Sequence, residues 1–343
     1  MLLPLPFVIT ANAAVGRPWA GHAIGLLAGL TAGVIFLNFA LDLAAGVSLV
    51  RIGAGEQAQR VDLGIMFTAV LAATIASKPV RERVARVIPI DPDSPVHAYA
   101  VVLVVIFVGV QLASILFVDL LAADQSQAPL TLADLLAQET PFLIMAVAGV
   151  GLYIRRNASG AAKRLGLVVP SWWQVVLALA ATGAFFVFIQ SLDGLSHQWT
   201  PQVAHRVDQT IQHVFGGLNG PLAIVALAVV PGICEEILFR GALQPRIGLI
   251  ATAVFFTLIH TQYGISLDTL AVFVVALGLG LIRKYNNTTT SAICHVSYNL
   301  LVGVGITDSQ VGPAAAIEIV LIAVAAYAIW SNWRRRVSVP AGP

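Results

Sequence analysis

Long runs of apolar residues recur along the whole chain, and they restrict its fold more than any other feature. Hydrophobic residues make up 58% of the 343 positions and charged residues only 10%, whereas soluble domains carry about 25% charged residues. A membrane-spanning helix needs about 20 mainly apolar residues. The sequence therefore predicts an all-α, polytopic transmembrane bundle of about eight to ten spans, with the candidate ranges 22–41, 62–77, 97–118, 140–154, 172–191, 222–246, 247–263, 268–282, 288–306 and 313–333.

The positions of the basic residues predict the orientation of this bundle. Cytoplasmic loops of membrane proteins are enriched in Lys and Arg. With the N-terminus inside, fifteen of the nineteen Lys and Arg residues fall in cytoplasmic segments, including the terminal run Arg334–Arg336. We therefore expect both termini inside and Asp119, Asp124, Asp134 and Glu139 in outside loops. Residues 11–13 imitate a signal-peptidase site, but no basic n-region precedes them, so cleavage is not expected.

The chain divides unequally at about residue 170. Residues 1–170 contain four candidate spans with few ionisable groups at mid-depth, and are predicted to be accessory transmembrane helices. Residues 171–343 contain most of the polar groups that lie inside spans. Between spans, the range 193–220 repeats apolar residues at helical spacing, which predicts an amphipathic helix on the outer surface: Val203, Val207, Ile211 and Val214. One half does not repeat the other, which argues against an inverted-repeat transporter.

Three polar patches stand out inside the spans of the second half. The first contains the adjacent Glu235 and Glu236, the second ends at His260, and the third begins at His295. An ionisable group at the bilayer centre costs about 3 kcal/mol or more, so such groups mark function by default. At a rise of 1.5 Å per residue, the patches lie at comparable depths of roughly 11–20 Å. We expect them to line one cavity within the range 220–305.

The spacing of the polar residues indicates which of them share a helix face. Glu236 and Arg240 are four residues apart on one helix face and can neutralise each other. Glu235 lies about 100° around that helix and is left for chemistry. His295 and Asn299 are again four residues apart and point into one space.

This set of groups suits the activation of a water molecule. Glu235 would act as a general base with the help of His260, while His295 and the Asn299 amide would donate hydrogen bonds to an oxyanion. The sequence has no serine in a nucleophile elbow and no H-E-x-x-H zinc motif. The predicted reaction is therefore hydrolysis of an acyl bond by an activated water.

The three patches resemble the motifs of the CAAX prenyl protease and bacteriocin-processing (Abi) family, whose type II CAAX endopeptidases are glutamate-dependent intramembrane proteases. The matching residues are Glu235-Glu236-x-x-x-Arg240, Phe256-x-x-x-His260 and His295-x-x-x-Asn299, in that order. The resemblance implies that Glu235 is the catalytic base, that His260 assists it on the water, and that no metal or other cofactor is needed. Arg240 would order the glutamates, Phe256 would form a wall of the site, and His295 and Asn299 would form the oxyanion site.

The resemblance also implies partners and a location. The substrate would be a membrane-associated or lipidated peptide, or a membrane-protein tail, and the surrounding lipids would be the other partner. A net charge of +2 gives no reason to expect a nucleic acid. The protein would be an integral protein of a bacterial plasma membrane, with the active site open to the cytoplasm.

Five other interpretations stay open at this stage. The buried Glu and His side chains could only hold helices together, or the chain could be a non-proteolytic scaffold or immunity protein of the same fold. Glu235, His260 and His295 could instead bind Zn²⁺ with a water in the fourth position. Cys234 or Cys294 could supply a nucleophilic thiol. Finally, the glutamates and histidines could form the proton relay of a transporter.

Overall fold

The computed structural model describes residues 2–337, with side chains up to residue 331, and this part of the chain is helical apart from turns. Because no strand occurs in it, the predicted all-α class is confirmed. The side chains of Arg334–Arg336 lie outside the described ones. The helices are α1 (Leu5–Ala14), α2 (Ala20–Ala45), α3 (Gly55–Thr74), α4 (Lys78–Val84), α5 (Pro95–Phe117), α6 (Leu120–Gln125), α7 (Leu132–Gly149), α8 (Ala158–Leu165), α9 (Trp172–Trp199), α10 (Pro201–Phe215), α11 (Pro221–Glu236), α12 (Gln244–Ile247), α13 (Leu249–Leu258), α14 (Leu267–Tyr285), α15 (Thr288–Val304) and α16 (Asp308–Val337).

All ten predicted runs lie on helices, but fewer helices than expected are long enough to cross a bilayer. Within residues 2–337, six are long and apolar enough, namely α2, α5, α7, α9, the range Pro221–Ile247 and α16. A seventh results if α3 and α4, which meet at an angle of 98°, form one broken span. Helices α13 and α15 have only 10 and 17 residues. The count from length and composition is thus six or seven, below the predicted eight to ten.

The outer surfaces of the spans are apolar, as contact with lipid requires. Leu26, Val34, Phe67 and Val187 are each more than half exposed. An exposed apolar surface of this extent is unstable in water and is satisfied by lipid chains. The chain is therefore an integral membrane protein.

The first half of the chain packs around α2, α3 and α5. Helices α3 and α5 come so close that a Cβ atom on Gly109 would lie 2.1 Å from the Thr68 side chain. Helix α1 packs between α2, α5 and α7, and its Asn12 amide donates to the Ala148 carbonyl oxygen over 2.9 Å. Helix α7 then packs against α11 and so joins the two parts. The division near residue 170 stays a prediction.

The second half is built around the contact between α11 and α15. Here Gly232 permits a close approach, because a Cβ atom at that position would lie 2.6 Å from a Val296 methyl group and 3.0 Å from the Val296 backbone nitrogen. Helix α9 packs across α14, α15 and α16, and α13 packs along α14. This arrangement places the ends of α11, α13 and α15 around one interior region.

Two local departures from regular helix affect the polar patches. Directly after Glu236 the helix widens into a π-helical segment, Ile237–Leu243, which includes Arg240. Such segments are rare and often occur at functional sites. Helix α13 ends at Leu258, so His260 lies in the following turn and not within a span as predicted.

The ends of the bundle differ in charge. At one end, α6 and α10 contact the short turn Thr261–Tyr263, and Arg206 Nη2 lies 2.7 Å from Asp119 Oδ1. The predicted amphipathic helix is confirmed as α10, and its Val207 is buried. At the other end, which we call the basic end, lie Arg155, Arg164, Arg246 and Arg283.

The placement of Glu139 in an outside loop was wrong, since it lies buried within α7.

Candidate active site

Glu236 is the most heavily bonded acid of the three patches. Its side chain is fully buried. One carboxylate oxygen, Oε1, lies 3.1 Å from His295 Nδ1 and 3.3 Å from Arg240 Nη1. The other, Oε2, accepts a hydrogen bond of 2.5 Å from Ser291 Oγ. The predicted pairing of Glu236 with Arg240 is confirmed, and both carboxylate oxygens are occupied by neighbours from α15 and the π-helical segment.

Glu235 is buried to a similar degree but is bound very differently. It is 5% exposed, and no described residue forms a hydrogen bond with its Oε2 atom. Its Oε2 atom lies 4.0 Å from His295 Nε2, which is too long for a direct hydrogen bond. A buried carboxylate without a partner costs stability. Glu235 is thus the glutamate that is free to bind a water or a substrate.

His295 lies between the two glutamates, and its hydrogen bonds indicate the tautomer. Nδ1 faces the Glu236 carboxylate at 3.1 Å, so this nitrogen donates when Glu236 is ionised. In the neutral ring Nε2 then has a free lone pair, and it faces Glu235. A gap of 4.0 Å between two acceptors has room for a bridging donor such as a water.

His260 is held by its own backbone neighbour. Nδ1 lies 2.8 Å from the Phe256 carbonyl oxygen, which can only accept, so Nδ1 carries the proton and Nε2 is the acceptor of the neutral ring. The Phe256 ring is 4.7 Å from the His260 ring and 5.9 Å from the His295 ring, between centroids. Arg240 lies over the same ring at 4.3 Å. Phe256 therefore contacts residues of all three patches.

Arg240 is fully buried and connects the site to the helices around it. It reaches the Ala276 carbonyl oxygen at 3.3 Å, and its own carbonyl oxygen accepts from Arg283 Nε at 3.2 Å. Its Nη1 is near Glu236 but is not aligned for a hydrogen bond. The contact is therefore a buried ion pair. Removing the charge of either partner would leave the other charge buried without compensation.

A cavity of about 110 Å³ adjoins these residues and is lined by His260, His295 and Asn299. Its wall continues through Tyr263 and Asp268, so it extends towards the turn at 261–266 and away from the basic end. The second and third patches thus line one cavity, as the sequence predicts, but the expectation that the first patch also lines it is wrong, because Glu235, Glu236 and Arg240 are not part of the cavity wall. Glu235 lies next to this wall, since its Oε2 atom is 4.0 Å from Nε2 of His295, which does line the cavity.

One comparison with known proteins identifies the region that contains this site. Residues 217–301 match the family model described as Type II CAAX prenyl endopeptidase Rce1-like. This part of the chain is similar to the Rce1-like family. No curated protein and no solved structure matches the chain. The predicted family is confirmed, and the Rce1-like region contains all seven motif residues, Glu235, Glu236, Arg240, Phe256, His260, His295 and Asn299.

The match of this region to Rce1-like endopeptidases supports the assignment of the protein as a CAAX-type protease within the membrane. The match covers about a quarter of the chain, from before α11 to within α15. Helices α1 to α10 precede it, and α7 packs directly against its first helix. Part of the environment of the Rce1-like site is therefore supplied by a segment outside the matched range.

Sequence reasoning missed several residues around the Rce1-like site. Ser291 lies one turn before His295, and that spacing was the only sign that it reaches Glu236. Asp268 lines the cavity, and no spacing rule connects it to the patches, whereas Tyr298, which also lines the cavity, stands three residues after His295 on the same helix face. Glu139 on α7 is 8% exposed, its Oε2 has no hydrogen-bond partner among the described residues, and it interacts electrostatically with Glu235.

The structure also gives the positions of the residues that would bind Zn²⁺ or supply a nucleophilic thiol in the alternative interpretations. Within residues 2–331, three potential ligand atoms lie within 4.8 Å of one another only in Asp193, His197 and Asp208, which are mostly exposed. The proposed zinc ligands of the Rce1-like site are not such a group. Cys234 and Cys294 are buried and do not line the 110 Å³ cavity.

Proposed function

We propose that the protein is a glutamate-dependent intramembrane endopeptidase that hydrolyses a peptide bond of a membrane-associated or lipidated peptide. The observation that carries this proposal is the contrast between the two glutamates. Glu236 is occupied by three neighbours, whereas Glu235 Oε2 has no described hydrogen-bond partner and faces an imidazole across 4.0 Å. A single water that donates to both Glu235 Oε2 and His295 Nε2 fits this gap.

The bound water is the nucleophile in this mechanism. Both of its hydrogens point to the protein, so an oxygen lone pair is directed at the substrate carbonyl carbon. As the C–O bond forms, Glu235 accepts one proton from the water. The carbonyl oxygen becomes an oxyanion, and the Asn299 amide in the cavity wall donates to it. When the C–N bond breaks, the proton on Glu235 passes to the leaving amine.

The two histidines act differently from what the resemblance implies. His295, with Nδ1 bound to Glu236, orders the water and donates to an oxyanion only when its ring is doubly protonated. The Nε2 atom of His260 is an acceptor and suits the N–H of the scissile peptide. Arg240 and Ser291 hold Glu236, which in turn fixes the His295 ring.

The direction of the cavity affects how a substrate arrives. The cavity extends away from the basic end, and the positive-inside rule places the basic end in the cytoplasm. In our proposal the peptide therefore enters from the bilayer or from the far side, in contrast to the cytoplasmic access expected from the sequence.

The test uses purified full-length protein in detergent and a library of membrane peptides, with and without isoprenylated cysteine, analysed by mass spectrometry. Wild type should cleave, Glu235→Gln should not, and Glu56→Gln, which changes an exposed glutamate, should cleave as wild type does. Activity should survive exhaustive chelation. Equal cleavage by Glu235→Gln and wild type contradicts the mechanism, and loss of activity on chelation supports a metal-dependent one. Proton flux in proteoliposomes without cleavage supports a transporter.

A further inference from the structure

A second and larger cavity lies in the bundle, outside the active site. Its volume is about 890 Å³, within the range of about 300–1,000 Å³ that is typical of ligand pockets. It is bounded by α1, α2, α5 and α7 on one side and by the π-helical segment and α13 on the other. Most of its wall is apolar, with Phe7, Leu103 and Leu238 among the lining residues.

An aromatic layer separates this cavity from the active site. Phe255 lines the large cavity, whereas its neighbour Phe256 lines the small one. The Phe239 ring lies between them, 5.2 Å from each, and Phe107 lies 4.6 Å from Phe255, between centroids. The two cavities therefore lie at different faces of α13. A chain bound in the large cavity does not occupy the space next to His260 and His295.

Four arginines, Arg155, Arg156, Arg164 and Arg246, lie at the rim of the large cavity. None of them forms an ion pair with a described acidic residue. Three are anchored by neutral acceptors: Arg155 Nε by Asn12 Oδ1 at 2.8 Å, Arg156 Nη1 by the Val150 carbonyl oxygen at 2.5 Å, and Arg164 Nη1 by the Gly241 carbonyl oxygen at 3.0 Å. Neutral acceptors orient these guanidinium groups without cancelling their charge.

The rim is crowded with like charge. Burial, and next the positive charges of Arg246 and Arg156, lower the pKa of Arg164 to about 10. Burial and the charges of Arg156 and Arg246 likewise lower the pKa of Arg155. Asp91 and Asp93 also line the cavity, but Asp93 Oδ1 is 2.9 Å from Lys78 Nζ. The rim is therefore net positive, and an anion would relieve the repulsion.

We infer that this cavity binds an anionic phospholipid, with its acyl chains among the apolar side chains and its phosphate between the four arginines. Arginine clusters recognise phosphate through several charge-assisted hydrogen bonds. Free phosphate would leave the apolar part of the cavity unfilled, and a zwitterionic lipid would bring a cation to a cationic rim. The inference does not depend on the proposed protease activity.

The test measures lipid retention by native mass spectrometry of delipidated full-length protein. The probes are dioleoyl phosphatidylglycerol, dioleoyl phosphatidylcholine and inorganic phosphate. The anionic dioleoyl phosphatidylglycerol should bind most tightly. The double variant Arg156→Gln/Arg246→Gln should bind it about 25-fold less tightly, at about five-fold for each arginine. The control is Arg83→Gln/Arg86→Gln, which removes two exposed basic-end charges outside the cavity lining and should change binding less than two-fold.

A second variant blocks the space for the chains without changing a charge. Gly149 lines the cavity, and a Cβ atom there meets nothing within 4 Å, so Gly149→Phe should exclude the lipid from a protein that still folds. Four results would each overturn the inference. The first is equal binding of both lipids, and the second is lipid binding that neither variant reduces. The third is binding of inorganic phosphate that Gly149→Phe leaves intact while no lipid binds. The fourth is displacement of the phospholipid by an equimolar isoprenylated peptide in Glu235→Gln protein, because the cavity would then belong to the substrate.

Discussion

The adjacent glutamates should respond oppositely to the same substitution. Glu235→Gln and Glu236→Gln each remove one carboxylate charge at almost the same depth and keep the shape of the side chain. Both residues are buried, at 5% and 0% exposure. They differ in what the carboxylate binds, so the comparison isolates that difference.

Glu236→Gln should destabilise the protein strongly. The glutamine oxygen can still accept from His295, and its amide can donate to Ser291, so the hydrogen bonds are replaceable. The charge opposite Arg240 is not replaceable, and Arg240 is fully buried. Breaking a buried ion pair from one side costs about 3–5 kcal/mol. At about 2 °C per kcal/mol for a chain of this size, the Tm should fall by roughly 6–10 °C.

Glu235→Gln should leave the Tm unchanged or raise it. Its Oε2 has no described hydrogen-bond partner, so the wild-type protein bears the cost of a buried unsatisfied acceptor, about 1–3 kcal/mol. A neutral amide in the same place is less costly to bury than a charge. Tm should therefore stay constant or rise by up to roughly 6 °C, while peptide cleavage disappears.

The measurement is thermal unfolding of both purified variants in one detergent, followed by tryptophan fluorescence, with cleavage assayed on the same samples. Glu56→Gln is the control, because Glu56 is exposed and its ion-pair partner among the described residues is Arg60. The reasoning is refuted if Glu235→Gln lowers Tm as much as Glu236→Gln does. It is also refuted if Glu236→Gln unfolds at the wild-type temperature, because Arg240 would then not need its partner.

Three other changes test the surroundings of the site. Ser291→Ala removes one donor to Glu236 and should lower kcat while Tm falls by about 2 °C; Ser291→Thr should restore activity. Gly232→Val should abolish activity and lower Tm, since its side chain collides with Val296 across α11 and α15, whereas Gly21→Val, where a Cβ meets nothing within 4 Å, should not. Glu139→Gln removes a buried unpaired acid and should raise Tm and shift the pH profile of cleavage; an unchanged profile would separate Glu139 from the site.

Local sequence pattern predicts the helices well and the spans less well. Every apolar run lies on a helix because hydropathy and helical propensity act within one segment. Whether a helix needs the full length of the bilayer depends on its neighbours. Helix α13 has 10 residues, and its packing against α14 gives it a protein environment that replaces lipid. No local rule contains that information.

The site shows the same division between local and tertiary information. The i, i+4 spacing correctly predicts that Glu236 and Arg240 meet, although a π-helical segment begins between them. The bond between His295 and Glu236 joins α15 to α11 and could not be predicted from either helix. Glu139 was misplaced because its acidic neighbours suggested a loop, whereas the capping box at Thr131 starts α7 eight residues earlier.

In the proposed mechanism, the polar network assigns stability to Glu236 and reactivity to Glu235. In a bilayer each buried charge must be compensated, and Arg240 is compensated by Glu236 while Ser291 and His295 fix the geometry of that carboxylate. Because this arrangement does not involve Glu235, the second carboxylate can stay without a hydrogen bond at its Oε2 atom. An unsatisfied acid in a rigid surround is stabilised by the water or substrate that reaches it. We therefore propose the position of the carboxyl group without a hydrogen-bond partner, more than the presence of any motif residue, as the place where hydrolysis occurs.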